Sequence, residues 1–294
     1  MKRLFDDEFL QRLQRLGLLA KRISATAPAG GHRRGPKMGD GLEFADHRAY
    51  APGDDLRFLD WHYYARMERL LLRLFHEHSE GEVSLLLDCS ESMAMGQLCK
   101  FDHARRMAAA LAYVAMASLD RVNIFPFADA LAEGLKTGRN RARIVEVLGF
   151  LEGLEAAGPT RLARASEQFA RASPRPGTVI VLTDMIDIAA DLADALRHLR
   201  AGGEVIALHV VDRADASPVV LGPSRLAAAE TKRQMSVNVT EQVLASYRRR
   251  WGQLVRGLER TCLSGGSLYI QAPTSTPFDR LVLETLHRAG LLTT

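Results

Sequence analysis

Apolar positions along this chain recur in two periods. Residues 5–23 set Leu10, Leu13, Leu16, Leu18 and Leu19 among charges, the spacing of an amphipathic helix. Residues 70–78 alternate instead, Leu70, Leu72 and Leu74 against Arg73, Phe75 and Glu77, as an antiparallel strand does. From Val83 onward short apolar runs take turns with helical patterns. Leu85, Leu86 and Leu87 form an unbroken run, the mark of a strand buried on both faces. Strands are predicted over 83–88, 121–127, 178–182, 204–211 and 267–271, with a short edge strand within 129–135. Helices are predicted over 100–119, 141–151, 191–199, 240–262 and 277–289. Another starts after Thr160, placed to cap it, and turns Leu162, Ala165 and Phe169 inward. In the 240–262 helix, Val243, Tyr247, Trp251, Leu254 and Leu258 share one face.

This alternation predicts an α/β fold with a doubly wound, mostly parallel, Rossmann-like sheet and right-handed crossovers. Two additions flank it: an N-terminal strand/turn extension and a C-terminal helical insertion over about 213–265. Residues 213–239 carry Pro218, Gly222 and Pro223 and little periodicity. The expected division is therefore 1–80 (helix, basic linker, turn-rich segment) and 81–294 (the sheet domain).

Composition narrows the reading. Of 294 residues, 47% are hydrophobic, enough for a full core. A net charge of +4 does not demand a nucleic-acid partner. The basic stretch 21–37 and the run Arg248, Arg249, Arg250 lack interleaved aromatics, so they read as a solvated connector and a solvated helix face. Cys89, Cys99 and Cys262 form no Cys-x-x-Cys pair, which fits a reducing cytoplasm. No apolar signal core follows Met-Lys-Arg at the start. The longest near-continuous apolar stretch, 108–119, falls short of the roughly 18 residues of a membrane span. A cytoplasmic location with no membrane span is expected.

The densest chemistry lies at 83–93, Val-Ser-Leu-Leu-Leu-Asp-Cys-Ser-Glu-Ser-Met. The buried strand stops at Asp88, and Ser90 and Ser92 follow at spacing two. In open α/β sheets, ligands bind past the carboxyl ends of the strands. A carboxylate and small hydroxyls there suit a hard cation such as Mg²⁺. Upstream, Pro52-Gly53 is a turn, followed by Asp54 and Asp55, which suit backbone N–H groups after it. Arg57 and Asp60 can pair with each other or with these carboxylates. The segment reads as a structural clasp, with a binding surface as the alternative, and Trp61 is expected to bury a large apolar surface. His76 and His78 share a strand face without a visible third ligand, so an exposed strand end outweighs a metal pair. No catalytic role is expected. A phosphoryl-handling hydrolase with an aspartyl nucleophile would carry a second carboxylate where Ser90 stands. No nucleophile elbow or Walker loop is present, and nothing places a base beside Cys89.

The Asp-x-Ser-x-Ser-Met sequence at Asp88, Ser90, Ser92 and Met93 resembles the metal-ion-dependent adhesion site (MIDAS) of von Willebrand factor A domains. The block Tyr50-Ala-Pro-Gly-Asp-Asp-Leu-Arg-Phe-Leu-Asp-Trp61, then Arg66, Leu70 and Arg73, is similar to the signature of the bacterial domain-of-unknown-function-58 family, a von Willebrand A-like group. The likeness runs from about Gly31 to the C-terminus. It implies a von Willebrand A-like fold. It also implies one divalent cation, Mg²⁺ or else Mn²⁺ or Ca²⁺, surrounded by Asp88, Ser90, Ser92, Thr160 and Asp184. Two departures stand near that site. The family's Gly-Gly-Thr is here Gly158-Pro159-Thr160, where proline removes a donor and fixes φ. Glu91 adds a charge beside the hydroxyls. The resemblance further implies metal-dependent protein–protein interaction. The partner would be a MoxR-type AAA+ ATPase or its client, supplying an Asp or Glu during assembly or remodelling of protein complexes. The residues alone also allow a metal-free loop. The chain would then be a metal-independent scaffold binding through the 50–61 block or the 240–262 helix.

Overall fold

The computed structural model describes residues 4–26, 36–37, 43–76, 81–96, 98–138, 140–172, 177–186, 191–201 and 203–289. The chain forms two compact units, Thr26–Glu80 and the combination of Met1–Ala25 with Gly81–Thr294. Helix α1 (Asp7–Thr26) therefore begins in the larger unit. Its inward positions are Phe9, Leu13 and Leu16, as the 3.6-residue period predicts. Residues 21–26 of the basic stretch continue this helix, and residues 27–35 lie outside the described ones.

The smaller unit is a three-stranded antiparallel sheet of β1 (Pro36–Lys37), β2 (Glu43–Ala49) and β3 (Leu71–His76), ordered β1-β3-β2. Its turn-rich connection contains a short 3-10 turn, Leu56–Phe58, and helix α2 (Trp61–Met67). Leu59 bridges Leu72 across this connection, and both are fully buried. Trp61 is not buried. It is 60% exposed, contrary to expectation, and meets Tyr64 edge-on at 6.3 Å. It opens α2 just past the Asp60 cap, and no residue of that short helix is buried. Glu77 and His78 lie outside the described residues.

The larger unit is built on a six-stranded sheet. Its strands are β4 (Glu82–Asp88), β5 (Arg121–Phe127), β6 (Leu135–Lys136), β7 (Gly177–Thr183), β8 (Gly203–Val211) and β11 (Leu268–Pro273). The order is β11-β8-β7-β4-β5-β6, parallel throughout except for β6. The edge strand β6 overlaps the predicted 129–135 stretch only at Leu135 and holds two residues. Alternate residues of each strand feed two cores. Leu85 and Leu87 of β4 and Ile180 and Leu182 of β7 pack with α3 (Lys100–Ala117), α4 (Ile144–Glu152), α9 (Phe278–Arg288) and α1. Leu86, Val179 and Val181 face the other way, onto α5 (Leu162–Ala172), α6 (Leu192–Arg200) and α8 (Glu241–Ser264). Burial on both faces is why these strands read as continuous apolar runs. Among the described residues no helix is long and apolar enough to cross a membrane.

The chain runs from β4 outward through β5 to β6, then returns beside β4 as β7 and proceeds through β8 to β11. Connections after β4 and β7 therefore leave in opposite directions, which opens a crevice between their carboxyl ends.

Residues 213–239 are more ordered than their sequence suggests. They form a short helix α7 (Arg213–Ala216) and an antiparallel hairpin of β9 (Gly222–Ala227) and β10 (Gln234–Val239). The hairpin was illegible because it lacks a buried face: Leu226 and Met235 are 46% and 61% exposed. In α8, capped by Thr240, burial falls on Leu244, Leu258 and Cys262, while Val243 and Tyr247 of the predicted face are exposed. Tyr247 instead donates its hydroxyl to the Asp215 carbonyl at 2.6 Å.

Candidate cation and docking site

Asp88 is the last residue of β4, completely buried at the crevice. One carboxylate oxygen accepts the Ser90 N–H at 2.9 Å, and the other accepts the Thr183 hydroxyl at 2.6 Å. Thr183 ends β7, so this bond ties the two strands together at the switch point. The turn after Asp88 brings the Ser90 and Ser92 hydroxyl oxygens within 3.1 Å of each other, both buried. Neither serine caps the following 3-10 turn, Glu91–Ala94, through a side-chain bond. Burial, and then the neighbouring Asp184 charge, push the Asp88 carboxyl up to about 7.

Asp184 lies one residue past β7 and is 3% exposed. Its carboxylate accepts from the Lys100 ammonium at 2.8 Å. Lys100 also lies 3.3 Å from Asp215 of α7 and is itself 1% exposed. Burial works against the ammonium, but Asp184 and then Asp215 override it and hold the lysine above its ordinary value. Lys100 is the first residue of α3, where the positive end of a helix disfavours an ammonium. The two carboxylates make that placement tolerable. Asp215 is positioned by a capping box with Asp212. Asp212 in turn accepts from the Thr274 hydroxyl at 2.8 Å and the Leu98 N–H at 3.2 Å.

The Thr160 loop lies alongside. Ala157 N–H donates to the Cys89 carbonyl at 2.8 Å, and Glu91 N–H donates to the Gly158 carbonyl at 2.9 Å. Gly158 takes φ +81°, which glycine adopts without strain. Pro159 follows it without disturbing these two bonds, since neither uses its nitrogen. Thr160 does not cap α5, as its sequence position suggested. The Ala165 N–H bonds the Arg161 carbonyl, one residue later, at 3.1 Å. The Thr160 hydroxyl and N–H instead donate to the two carboxylate oxygens of Glu230, at 2.8 and 3.1 Å. Glu230 stands at the tip of the β9–β10 hairpin, and Lys232 beside it pairs with Glu91.

So Asp88, Ser90 and Ser92 form one cluster, with Asp184 close enough to act on Asp88. Thr160 joins through its loop but is engaged by Glu230. Among the described residues no three His, Cys, Asp or Glu side chains converge as a ligand set. The Asp88 cluster supplies hydroxyls and one carboxylate, all hard oxygens, which fits Mg²⁺ better than a soft metal. Sequence reading missed Lys100, Thr183, Asp215, Glu230 and Lys232. The lysine at a helix start was a detectable anomaly. The hairpin pair carried no signal, because nothing predicted a hairpin. Cys89, whose thiol burial pushes up to about 12, offers no thiolate near neutrality.

The 50–61 segment is a different surface, within the smaller unit. Asp54 accepts from Arg48 and from the Ala51 N–H, each at 2.8 Å. Asp55 pairs with Arg57, at 2.6 Å to one guanidinium nitrogen. Asp60 accepts the Tyr63 N–H at 2.9 Å and lies 2.9 Å from the His47 ring. Arg57 thus chooses Asp55 over Asp60. All three carboxylates are held below their ordinary pKa: Asp54 chiefly by Arg48, Asp55 by Arg57, and Asp60 by the Tyr63 N–H followed by His47. Tyr50, Pro52 and Gly53 lead into this turn, with Gly53 at φ +104°.

A doubly wound α/β domain with acidic and hydroxyl side chains at its switch point is the class these features define. Within it, the chain belongs to the family described as "Protein of unknown function DUF58", whose profile matches residues 46–256. Solved structures similar to it include the conserved hypothetical protein BatB from Bacteroides thetaiotaomicron, at 16% identity and TM-score 0.45, covering 72% of this chain and 99% of that one. A von Willebrand factor type A protein from Catenulispora acidiphila is similar at 16% identity and TM-score 0.38, covering 73% and 43%. The SpRpn10 VWA domain is similar at 11% identity and TM-score 0.39, covering 71% and 94%. A search of curated proteins gave no match.

Proposed function

We propose that this chain is a protein-interaction module that docks its partner at the carboxyl end of the six-stranded sheet, through a divalent cation. Asp88, Ser90 and Ser92 would hold the ion, with Asp184 and Thr160 at its flanks. The observation that carries this reading is Asp88. It is a completely buried carboxylate beside a second one, with two hydroxyls 3.1 Å apart at its side. Mg²⁺ would supply compensating charge and an open coordination position for an outside carboxylate. Asp88 would bind the ion directly. Ser90 and Ser92 would add neutral donors, leaving the ion's charge incompletely cancelled. Asp184, already committed to Lys100, would act through water. The family resemblance points to a MoxR-type AAA+ ATPase or its client as the partner. Neither reading assigns a catalytic residue.

Titration calorimetry with Mg²⁺ and Mn²⁺ tests the ion. Binding by the parent that disappears in Asp88→Ala is the expected result. Equal binding by both, or none by the parent, ends the proposal. Capture of partners from the native host should then fail in chelator. A metal-independent scaffold is the second reading, favoured by one observation. The Lys100 ammonium already sits on Asp184, as a built-in cation. It predicts no Mg²⁺ binding and partner capture unchanged by chelator.

A further inference from the structure

The hairpin β9–β10 is a two-stranded ribbon with mostly exposed side chains. Such ribbons are marginal in water by themselves. This one is fastened at its tip. Glu230 receives both donors of Thr160, and Lys232 pairs with Glu91, so two charged side chains, two residues apart, meet two matching groups on the docking face. The tip is tightly wound. Ala228 N–H bonds the Arg233 carbonyl at 2.9 Å, and Lys232 N–H bonds the Ala228 carbonyl at 3.1 Å. Lys232 takes φ +56°, a left-handed conformation that lysine seldom adopts unless other contacts hold it.

We propose that the segment Glu230-Thr231-Lys232 is an internal occupant of the docking face. The surface made by Thr160 and Glu91 then takes a partner segment with a carboxylate and a basic side chain two residues apart. This rests on the reading that partners dock at this end of the sheet. The chemistry is directional. The Thr160 N–H and O–H point two donors at one carboxylate, and the geometry suits a bidentate acceptor. Glu91 selects a lysine or arginine beside it. Docking requires the tip to lift, because both contacts are already filled. The hairpin therefore lowers the apparent affinity of the free chain by the fraction of time it is closed. Severing the tip contacts leaves the sheet domain intact, since Glu230 and Lys232 contribute nothing to either core.

The test compares the parent with the double variant Glu230→Ala, Lys232→Ala. The probe is a synthetic peptide with the sequence of residues 226–235, labelled for fluorescence anisotropy. Amide hydrogen exchange across 222–239 is measured in parallel. The variant should exchange its hairpin amides at least about tenfold faster, and bind the peptide at least about tenfold more tightly, than the parent. Adding Glu91→Lys to the variant should weaken the peptide. A peptide with glutamate in place of the lysine should restore binding. Equal exchange in parent and variant, equal peptide affinity, or indifference to the charge swap overturns the proposal. Each measurement is made with Mg²⁺ and with chelator. Absent Mg²⁺ binding in calorimetry with tighter peptide binding by the variant removes the cation and leaves the internal occupant standing, while a peptide that treats parent and variant alike removes the internal occupant.

Discussion

The molecule carries two groups of aspartates whose environments differ in kind. In the smaller unit, Asp54, Asp55 and Asp60 meet arginines, a histidine and backbone N–H groups at the surface, and all are held in the charged form. At the carboxyl end of the large sheet, Asp88 is buried beside Asp184, and its carboxyl is driven up to about 7. The surface group is satisfied as it stands and fixes a turn. The buried group has more negative charge than its surroundings compensate, apart from Lys100. The same side chain thus serves as a clasp where solvent and donors are plentiful, and as a candidate cation ligand where they are not.

The sharpest way to break this contrast is to remove Lys100. Lys100→Met strips the charge from a buried pair and leaves Asp184 uncompensated, which should cost about 3–5 kcal/mol. Urea unfolding reads it. Mg²⁺ should restore more stability to this variant than to the parent if the ion enters the site. A cost below about 1 kcal/mol would mean that solvent reaches Asp184 and that the two regions do not differ as described.

Acid separates the regions next. His209 is completely buried, with Nδ1 2.6 Å from the Tyr269 hydroxyl, and burial holds its pKa down at about 4. His103 is likewise held at about 4, by burial and then by Arg106. Below about 6.5 the unfolded chain takes up a proton on each histidine that the folded chain refuses until about 4. The two histidines therefore withdraw stability as pH drops through that window, on the order of 3 kcal/mol for His209 alone. Asp88, whose folded carboxyl sits at about 7, takes up its proton early and adds stability over the same range. The surface carboxylates act elsewhere. Their depressed values keep their contribution intact above the ordinary carboxylate range, and it is lost only as pH falls below it. Unfolding midpoints measured from pH 7 to pH 4 should show the histidine contribution as a difference, with the double variant His103→Gln, His209→Gln losing less stability toward acid than the parent. A double variant that loses as much stability as the parent between pH 6.5 and 4 contradicts the burial argument.

The smallest effect belongs to Trp61. At 60% exposure, Trp61→Ala should change stability by less than about 0.5 kcal/mol, within the scatter of surface substitutions. A loss of several kcal/mol would show that the 50–61 segment is packed like a core after all.

Much of the fold was legible because strands β4, β5, β7 and β8 are buried on both faces and flanked by helices with a clear apolar stripe. Only the β4 part of the candidate site was legible to the same degree. Asp88, Ser90 and Ser92 are neighbours in sequence, so one turn determines their proximity. Trp61 was misjudged because residue type says how much surface a side chain can bury, not whether anything lies against it.

By itself, the sequence determined the alternation of strands and helices, and hence a doubly wound sheet with its chemistry past the carboxyl end of β4. Periodicity of apolar residues is local information, and burial on one or two faces leaves a direct trace in it. What only the tertiary structure decided is which charges meet. Lys100 reaches Asp184 across 84 positions, and Thr160 reaches Glu230 across 70. Such pairings follow from strand order and from a hairpin with no apolar face, and neither leaves a periodic mark on the chain.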